Sequence, residues 1–200
     1  MRLQQPVLSG NSILLSPLLP DHIAPLMNIA RESPEIFVWT STPRSDEERD
    51  HYFGQAFAQR DSGVALPFAI VRKESGAVAG TSRLNELDLP NRRCSIGYSW
   101  IAPCHHGDGT NLESKYLLLE YAFEELSVNR VQFQVDERNT ASRRALEKLG
   151  ATQEGRLRLH MLAKDGTYRN TVIYSIVAAE WSEIKPRLVE RMRGKVRAGE

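Results

Sequence analysis

One segment near the middle of the chain passes from a strand pattern through two glycines straight into a helix pattern. It runs Trp100-Ile101-Ala102-Pro103-Cys104-His105-His106-Gly107-Asp108-Gly109-Thr110-Asn111-Leu112-Glu113. Gly107 and Gly109 permit backbone angles that side chains disfavour, and they let main-chain N–H groups approach an anion. The helix that follows presents its positive end to the same anion. The segment therefore predicts a phosphate-binding turn held by a rigid helix.

The first residues of this helix carry their own signals. Thr110 and Glu113 have the spacing of a capping box, which predicts that the helix starts here. Two common phosphate-binding motifs are excluded. A P-loop needs a Lys-Ser/Thr pair after the glycines, and a dinucleotide fingerprint needs a third glycine where this chain has Leu112. Apolar residues then recur at helical spacing and predict a buried face: Tyr116, Leu119, Phe123 and Leu126.

A second strand and helix follow about thirty residues later. Residues 131–136 alternate as a strand, and the next segment has the pattern of a helix that Asn139 starts and Gly150 ends. With these two segments the chain resembles the GCN5-related N-acetyltransferase (GNAT) superfamily. Further motifs resemble its ribosomal-protein N-terminal acetyltransferase branch: Ile96-Gly97-Tyr98, Asn139-x-x-Ser142, Glu154-Gly155-x-Leu157-Arg158, Asp165-Gly166 and Thr171-Val172-x-Tyr174-Ser175-Ile176.

The resemblance covers about residues 12 to 181 and implies an α/β fold. In this fold a mixed, mostly antiparallel sheet of about seven strands is flanked by helices. Sequence patterns predict the order β-α-α-β-β-β-α-β-α-β-β, with early helices from Pro20 and from a capping Ser45. We expect one domain over residues 1–182, followed by a basic tail, 183–200, that forms an exposed terminal helix or a frayed end.

Composition narrows the class of protein. With 200 residues and 41% hydrophobic content the chain suits one domain, and a net charge of +1 predicts no nucleic-acid partner. Cys94 and Cys104 are too few for a disulfide framework, and no signal peptide or long apolar run is visible. We therefore expect a cytoplasmic protein without a membrane partner. We also consider a homodimer that forms through the last strands or the C-terminal segment.

The resemblance implies acetyl-CoA as cofactor, with coenzyme A as product. It implies that the glycine loop holds the pyrophosphate, that main-chain groups of β-strand residues hold pantetheine, and that the Asn139 helix lies alongside. The implied cofactor-binding residues are Trp100, Ile101, His106, Gly107, Asp108, Gly109, Thr110, Asn111, Asn139 and Ser142. No metal is expected, because the adjacent Cys104, His105 and His106 cannot comfortably converge on one ion.

Amide formation requires a neutral amine, stabilisation of the thioester oxygen and a departing thiolate. Many relatives place a Tyr proton donor four residues before the helix-ending glycine, where this chain has Leu146. The branch resemblance implies that Ser142 takes this role. From the residues alone, the Ser142 hydroxyl is equally compatible with a purely structural role, a hydrogen bond within the first helical turn. Asn139 is compatible with a helix cap or with a coenzyme contact.

The base that deprotonates the amine is harder to place. Relatives often carry Glu immediately before the Ile-Gly-Tyr motif, where this chain has Ser95, and others carry a carboxylate near residues 159–161. His160 titrates in the right range and is a catalytic candidate, although such residues are more often structural. Glu86, Asp88 or a chain of waters are the alternatives.

The amine pocket is expected between the early helices and the closing strands. Its candidate residues are Trp39, Glu86, Tyr98, Tyr168 and Arg169, although aromatic residues at such positions are more often core. The resemblance implies direct acetyl transfer in a ternary complex to a primary amine, foremost the N-terminal α-amine of a peptide or protein. Acetylation of a small amine or amino acid is one alternative. A coenzyme-A-binding sensor without turnover is another, because the usual Tyr and carboxylates are absent.

Overall fold

Eight strands form one sheet in the computed structural model, which describes residues 5–197. The strands are β1 (Leu8–Ser9), β2 (Ile13–Pro17), β3 (Leu66–Arg72), β4 (Val78–Asp88), β5 (Arg93–Ile101), β6 (Arg130–Asp136), β7 (Thr152–Leu162) and β8 (Tyr168–Val177). Their order across the sheet is β1-β2-β3-β4-β5-β6-β8-β7. Strands β5 and β6 pair in parallel, whereas the other neighbouring strands pair antiparallel.

Helices cover both faces of the sheet. They are α1 (Ile23–Glu32), α2 (Asp46–Asp61), α3 (Thr110–Glu120), α4 (Thr140–Leu149) and α5 (Ala178–Arg197). The predicted fold class and the predicted order of elements are confirmed between β2 and β8. The short β1 adds an eighth strand to the seven expected, because it pairs with β2 at the edge of the sheet.

Two hydrophobic cores lie on opposite faces. Helices α1 and α2 pack on one face, where Leu26, Phe53 and Trp100 are buried together. Helices α3, α4 and α5 pack on the other, around residues such as Leu118 and Leu146. Because side chains alternate along a strand, consecutive residues of β5 reach different cores: Trp100 packs in the first and Ile101 in the second. The sheet is held between the two cores.

The sheet is open between β5 and β6. Their pairing is confined to three residues, with Arg93, Cys94 and Ser95 opposite residues 130–132. Next to this break β5 carries a bulge, because Arg83 of β4 pairs with Gly97 whereas Thr81 pairs with Trp100. A bulge bends a strand and redirects its side chains, so the two strands diverge beyond Ser95.

The predicted capping box of α3 is wrong. The helix is capped by Gly109, which has a φ of 105°, and Asp108 Oδ1 accepts a hydrogen bond from Thr110 N at 2.8 Å. Glu113 instead accepts a bond from Ser12 N, 101 residues away in the chain, at 3.1 Å. The buried Glu113 carboxylate satisfies the main chain of the β1–β2 turn, a demand that local spacing does not reveal.

The C-terminal helix belongs to the packed part of the chain. It passes through Glu183, where the basic tail was expected to begin, and Ile184 and Leu188 are buried in the core with α3 and α4. The segment was expected to be exposed, but these two side chains are buried. Residues 1–4 of the expected domain and residues 198–200 of the expected tail lie outside the described part of the chain.

Between residues 5 and 197, no helix combines the length and the apolar composition that crossing a bilayer requires.

Shortening Leu188 should test how far α5 contributes to stability. Leu188 is 1% exposed, so we expect Leu188→Ala to lower the free energy of unfolding by about 2–5 kcal/mol. The neighbouring Arg187 is exposed, and Arg187→Ala should change the free energy of unfolding by less than about 0.5 kcal/mol. Urea denaturation of both variants measures the difference, and equal stability would show that the helix is dispensable.

Candidate active site

A cleft of about 310 Å³ lies where β5 and β6 separate. Residues 95–99 of β5 and 133–136 of β6 line its two walls, and the first turns of α4 contribute Asn139, Ser142 and Leu146. Trp39 and Glu86 reach the cleft from the loop before α2 and from β4. The cleft therefore opens between the two edges that the sheet leaves unpaired.

The β5 wall is fixed by a buried aromatic and cationic group. Tyr98 lies in the left-handed region with a φ of 53°, and its carbonyl accepts a hydrogen bond from Tyr52 Oη at 3.1 Å. Trp100 Nε1 donates to Tyr52 Oη at 3.2 Å, and the Arg83 guanidinium lies 3.9 Å from the Tyr98 ring centre. Burial raises the pKa of Tyr52 to about 12, so the hydroxyl keeps its proton.

Beyond the bulge, β5 presents main-chain groups to the cleft side. Ala102 N donates to Ala79 O of β4 at 2.8 Å. Because main-chain groups alternate in direction along a strand, Trp100 faces β4 and Ile101 faces the open edge. The side chains of Trp100 and Ile101 are both buried in the cores. Of these two predicted residues, Ile101 is thus the one whose N–H lies on the open edge.

The glycine loop has the backbone that the sequence predicts. Gly107 and Gly109 have φ values of 87° and 105°, and a side chain at Gly107 would meet open space. His106 Nε2 lies 3.0 Å from Ile101 O, which places the proton on that nitrogen and ties the loop to the end of β5. The loop is therefore preformed next to the α3 N-terminus.

Asp108 closes the loop with its side chain. Its Oδ2 lies 2.9 Å from His105 Nδ1 and 3.4 Å from Arg72 Nη1, and Arg72 also donates to Thr110 Oγ1 at 2.9 Å. Burial opposes ionisation, but hydrogen bonds from Thr110 and His105 outweigh it and lower the pKa of Asp108. The carboxylate is thus a charged internal acceptor, which leaves the Asp108 main chain for an anion.

The first turn of α4 faces the cleft with polar groups. Asn139 Oδ1 accepts a hydrogen bond from Ser142 N at 3.0 Å and so caps the helix. Among the described residues the Ser142 hydroxyl makes no hydrogen bond, and it lines the cleft. Leu146, one turn later, offers only apolar surface. A proton donor on this helix is therefore available at Ser142.

Asp136, at the end of β6, was not singled out from the sequence. It is 3% exposed and accepts hydrogen bonds from Arg138 Nε at 3.0 Å and Nη2 at 2.8 Å. Burial alone would raise the pKa of Asp136, but the Arg138 guanidinium outweighs burial and lowers it. Arg138 also stacks 4.0 Å from the Trp39 ring centre. The pair fixes one wall of the cleft.

Lys115 of α3 was also missed. It lines the cleft with 8% of its surface exposed, and its Nζ donates to Ser82 Oγ at 3.1 Å and Ser99 Oγ at 2.5 Å. Burial lowers the pKa of Lys115 to about 7. A signal was present, since Lys115 lies three residues after Leu112 and four before Leu119, on the apolar face of the helix.

The structure brings together four of the five predicted pocket residues. Trp39, Glu86, Tyr98 and Arg169 line the cleft, together with Asn139 and Ser142. Arg169 Nε donates to Thr171 Oγ1 at 3.0 Å. Tyr168 is 64% exposed and lies outside the cleft, since it belongs to the end of β8 beyond Arg169.

Two candidate bases are not in the cleft. The exposed His160 lies in a separate shallow groove on β7, beside Arg158 and Asn170, and its Nδ1 is 3.1 Å from Thr171 Oγ1. Asp88 is paired with Arg93 at 3.0 Å. As to metals, the described residues contain no group of three or more His, Cys, Asp or Glu side chains placed to hold an ion.

The comparison with protein families agrees with this geometry. The model of the acetyltransferase (GNAT) domain matches residues 12–152. The chain belongs to the GNAT family. A solved GCN5-related N-acetyltransferase from Brucella melitensis has the same fold, with a TM-score of 0.84 and 28% identity, over 95% of this chain and 86% of that one. The family resemblance is therefore confirmed.

Two further proteins are similar to this chain. Mycobacterium smegmatis RimJ, solved in complex with CoA-disulfide, matches with a TM-score of 0.78 and 24% identity, over 92% of this chain and 91% of that one. A Bacillus subtilis (strain 168) protein named "Putative ribosomal N-acetyltransferase YdaF" is 38% identical over 106 residues, 53% of this chain. The chain spans 57% of the length of that relative.

The wall of this GNAT cleft can be tested through Asp136. We expect Asp136→Asn to lower the free energy of unfolding at pH 7 by about 1–3 kcal/mol, because Arg138 loses a charged acceptor. The folded-state pKa of Asp136 is depressed, so its stabilisation is complete above the unfolded pKa of about 3.9 and is lost as pH falls through the folded value.

Urea denaturation at pH 7 and below pH 4 measures this effect. The gap between wild type and Asp136→Asn should narrow in acid, whereas the exposed Glu190→Gln should differ little from wild type at either pH. A gap of the same size at both pH values would contradict an ionised Asp136.

Proposed function

We propose that this chain is an acetyl-CoA-dependent N-acetyltransferase whose acceptor is a primary amine, the N-terminal α-amine of a peptide or protein. The carrying observation is the cleft between β5 and β6, which opens where the pairing of the two strands ends and is lined by residues 95–99 of β5 and by Ser142. Both reactants would enter this gap, and transfer would occur by direct attack in a ternary complex.

The residues of the loop and of β5 fit coenzyme A. The N-terminus of α3, with main-chain N–H groups such as those of Asp108, Gly109 and Asn111, would hold the pyrophosphate, as helix N-termini hold phosphate generally. Space exists for it beside Gly107, and Arg72 offsets the charge of Asp108. The open edge of β5 would bond the pantetheine amides. When bound, acetyl-CoA supplies an acetyl group as a thioester, which an amine can attack.

The protein's own groups would act on the developing charges. The Ile101 N–H on the open edge is the proposed donor to the thioester oxygen, since a fixed main-chain donor stabilises an oxyanion without reorganisation. Ser142 is the proposed proton donor to the departing sulfur. His160 is left out of this proposal, because it lies in a different groove.

The acceptor side of the proposal rests on three further residues of the cleft. Trp39, Glu86 and Tyr98 line it, and the Glu86 carboxylate would attract a cationic amino terminus. The printed name of the Bacillus subtilis relative supports a ribosomal protein as the source of that terminus.

Location and assembly complete the proposal. Cys94 and Cys104 are both free thiols, which favours a reducing compartment such as the cytoplasm. Pairing of two copies through the last strands is supported by exposed apolar side chains on the edge strand β7: Leu157, Leu159 and Leu162.

Loss of the loop geometry should abolish coenzyme binding. Gly109 has a φ of 105°, which a side chain disfavours, so Gly109→Trp should weaken acetyl-CoA binding by at least about tenfold, or ~1.4 kcal/mol. Calorimetric titration measures the affinity. Gly54→Ala, in α2 with open space around it, is the matched control and should bind as wild type does. Unchanged binding by Gly109→Trp would move the pyrophosphate site elsewhere.

Removal of the Ser142 hydroxyl should slow transfer. We expect Ser142→Ala to lower kcat by about 10²-fold, within the range for a lost proton donor, with little change in acetyl-CoA affinity. Thiol release with peptides that begin with Ala or Ser, and with a panel of small amines, measures it. His160→Ala should keep wild-type activity.

The same assay separates the alternatives. Turnover of small amines without turnover of peptides would overturn the peptide acceptor. Binding of acetyl-CoA by the wild type without transfer to any amine would support a coenzyme-binding sensor, and absence of binding would exclude the acetyltransferase.

A further inference from the structure

A buried lysine and two serines form a polar cluster behind the bulge of β5. We call Lys115, Ser82 and Ser99 the lysine–serine cluster. Besides the two bonds from Lys115, the two hydroxyl oxygens lie 2.7 Å apart, and Ser99 Oγ donates to Gly97 O at 3.2 Å. Lys115 and Ser99 also line the cleft. The cluster thus connects the interior of α3 with the cavity at the bulge.

Within residues 5–197, no carboxylate forms an ion pair with the lysine. Of the acidic residues on α3, Glu113 bonds the β1–β2 turn and Glu120 pairs with Lys185 of α5 at 2.9 Å. Strands β1 and β2 bring no titratable side chain to α3. Arg83 of β4 lies on the opposite face of the sheet against Tyr98. The charged residues that line the cleft are Glu86, Asp136 and Arg169, and none of them forms an ion pair with Lys115.

Burial without a counter-charge favours the neutral amine. An ammonium group is costly to bury unless it is paired, because hydroxyl dipoles replace water poorly. This is why the pKa of Lys115 falls to about 7. A neutral lysine has a lone pair, so its contact with Ser99 also serves with the hydroxyl as donor and the amine as acceptor.

Of the other titratable groups in the cleft, Glu86 is already assigned to attracting the cationic amino terminus. Ser95 stands where relatives often carry Glu, and His160 and Asp88 lie elsewhere. Asp136 is paired with Arg138, which makes its carboxylate weakly basic. A group that titrates near the working pH is the most effective proton acceptor. Lysines adapted in this way act as general bases.

We propose that Lys115, through the hydroxyl of Ser99, accepts the proton that the amine nitrogen loses as it is acetylated. The inference rests on the proposed acetyltransferase function. As the N–C bond forms and the C–S bond breaks, the amine proton passes to Ser99 Oγ, and the Ser99 proton passes to Lys115 Nζ. The sulfur receives its proton from Ser142. Water then takes the proton from Lys115 and restores that of Ser142, so no other reactant is required.

The first experiment measures the protonation of Lys115 directly. NMR of the ¹³Cε and ¹⁵Nζ nuclei, with the resonance assigned by its absence in Lys115→Met, should give a midpoint near pH 7, far below the ordinary value of about 10.4. This readout needs neither coenzyme nor turnover. A midpoint near 10 would overturn the proposal.

The second experiment is the pH dependence of kcat/KM with acetyl-CoA and a peptide substrate. The wild type should show one limb near pH 7 and another from the substrate amine near pH 8. In Lys115→Met and Ser99→Ala the limb near pH 7 should disappear, and kcat/KM at pH 8 should fall by about 10²-fold. Acetyl-CoA affinity should stay within a few fold of wild type.

Matched variants separate this role from a structural one. Lys148→Met, on the exposed side of α4, should keep both limbs. If Lys115→Met does not fold, the pH profile of Ser99→Ala still decides. An unaltered limb near pH 7 in Ser99→Ala would overturn the relay. If the wild type transfers acetyl to no amine, the proposed function is wrong and the inference that rests on it is wrong too. If the wild type is active and the variants keep its pH profile, only the inference is wrong.

Discussion

The early end of the pairing between β5 and β6 is the constraint on which the rest of this structure depends. Three residue pairs join the two strands, and beyond Ser95 each strand has a free edge. Buried main-chain groups require partners, so two facing edges inside a sheet form a natural site for an extended ligand with amide groups. The cleft lies at this gap.

The bulge beside this gap is stabilised from both faces of the sheet. On one side Tyr52 bonds the Tyr98 carbonyl and Arg83 stacks on the Tyr98 ring. On the other, Lys115 bonds Ser99. Buried polar groups of this kind cost desolvation energy and keep a single arrangement only when all are satisfied. A strained backbone conformation at a non-glycine residue is thereby maintained where the chemistry is proposed.

Several side chains of the site stabilise the loop or helix that carries them. Asn139 caps α4, Asp108 bonds the first amide of α3, and His106 bonds the end of β5. These contacts leave the hydroxyl of Ser142 without a partner among the described residues. The suitability of the loop for an anion therefore depends on backbone direction and on the helix dipole rather than on its side chains.

The sequence by itself determined the helices and strands from β2 to β8, their order and the family, because helix caps and strand alternation act over a few residues. Ser45 and Asn139 cap the helices that they are predicted to start, and Gly150 ends α4. It also predicts that the glycine loop and Ser142 serve one ligand, and this stays a prediction. Only the tertiary structure decided that Glu113 serves a distant turn, that His160 lies outside the cleft, and that Lys115 lies inside it. A bulge shifts which side chains face a cavity, and strand register depends on neighbours far along the chain.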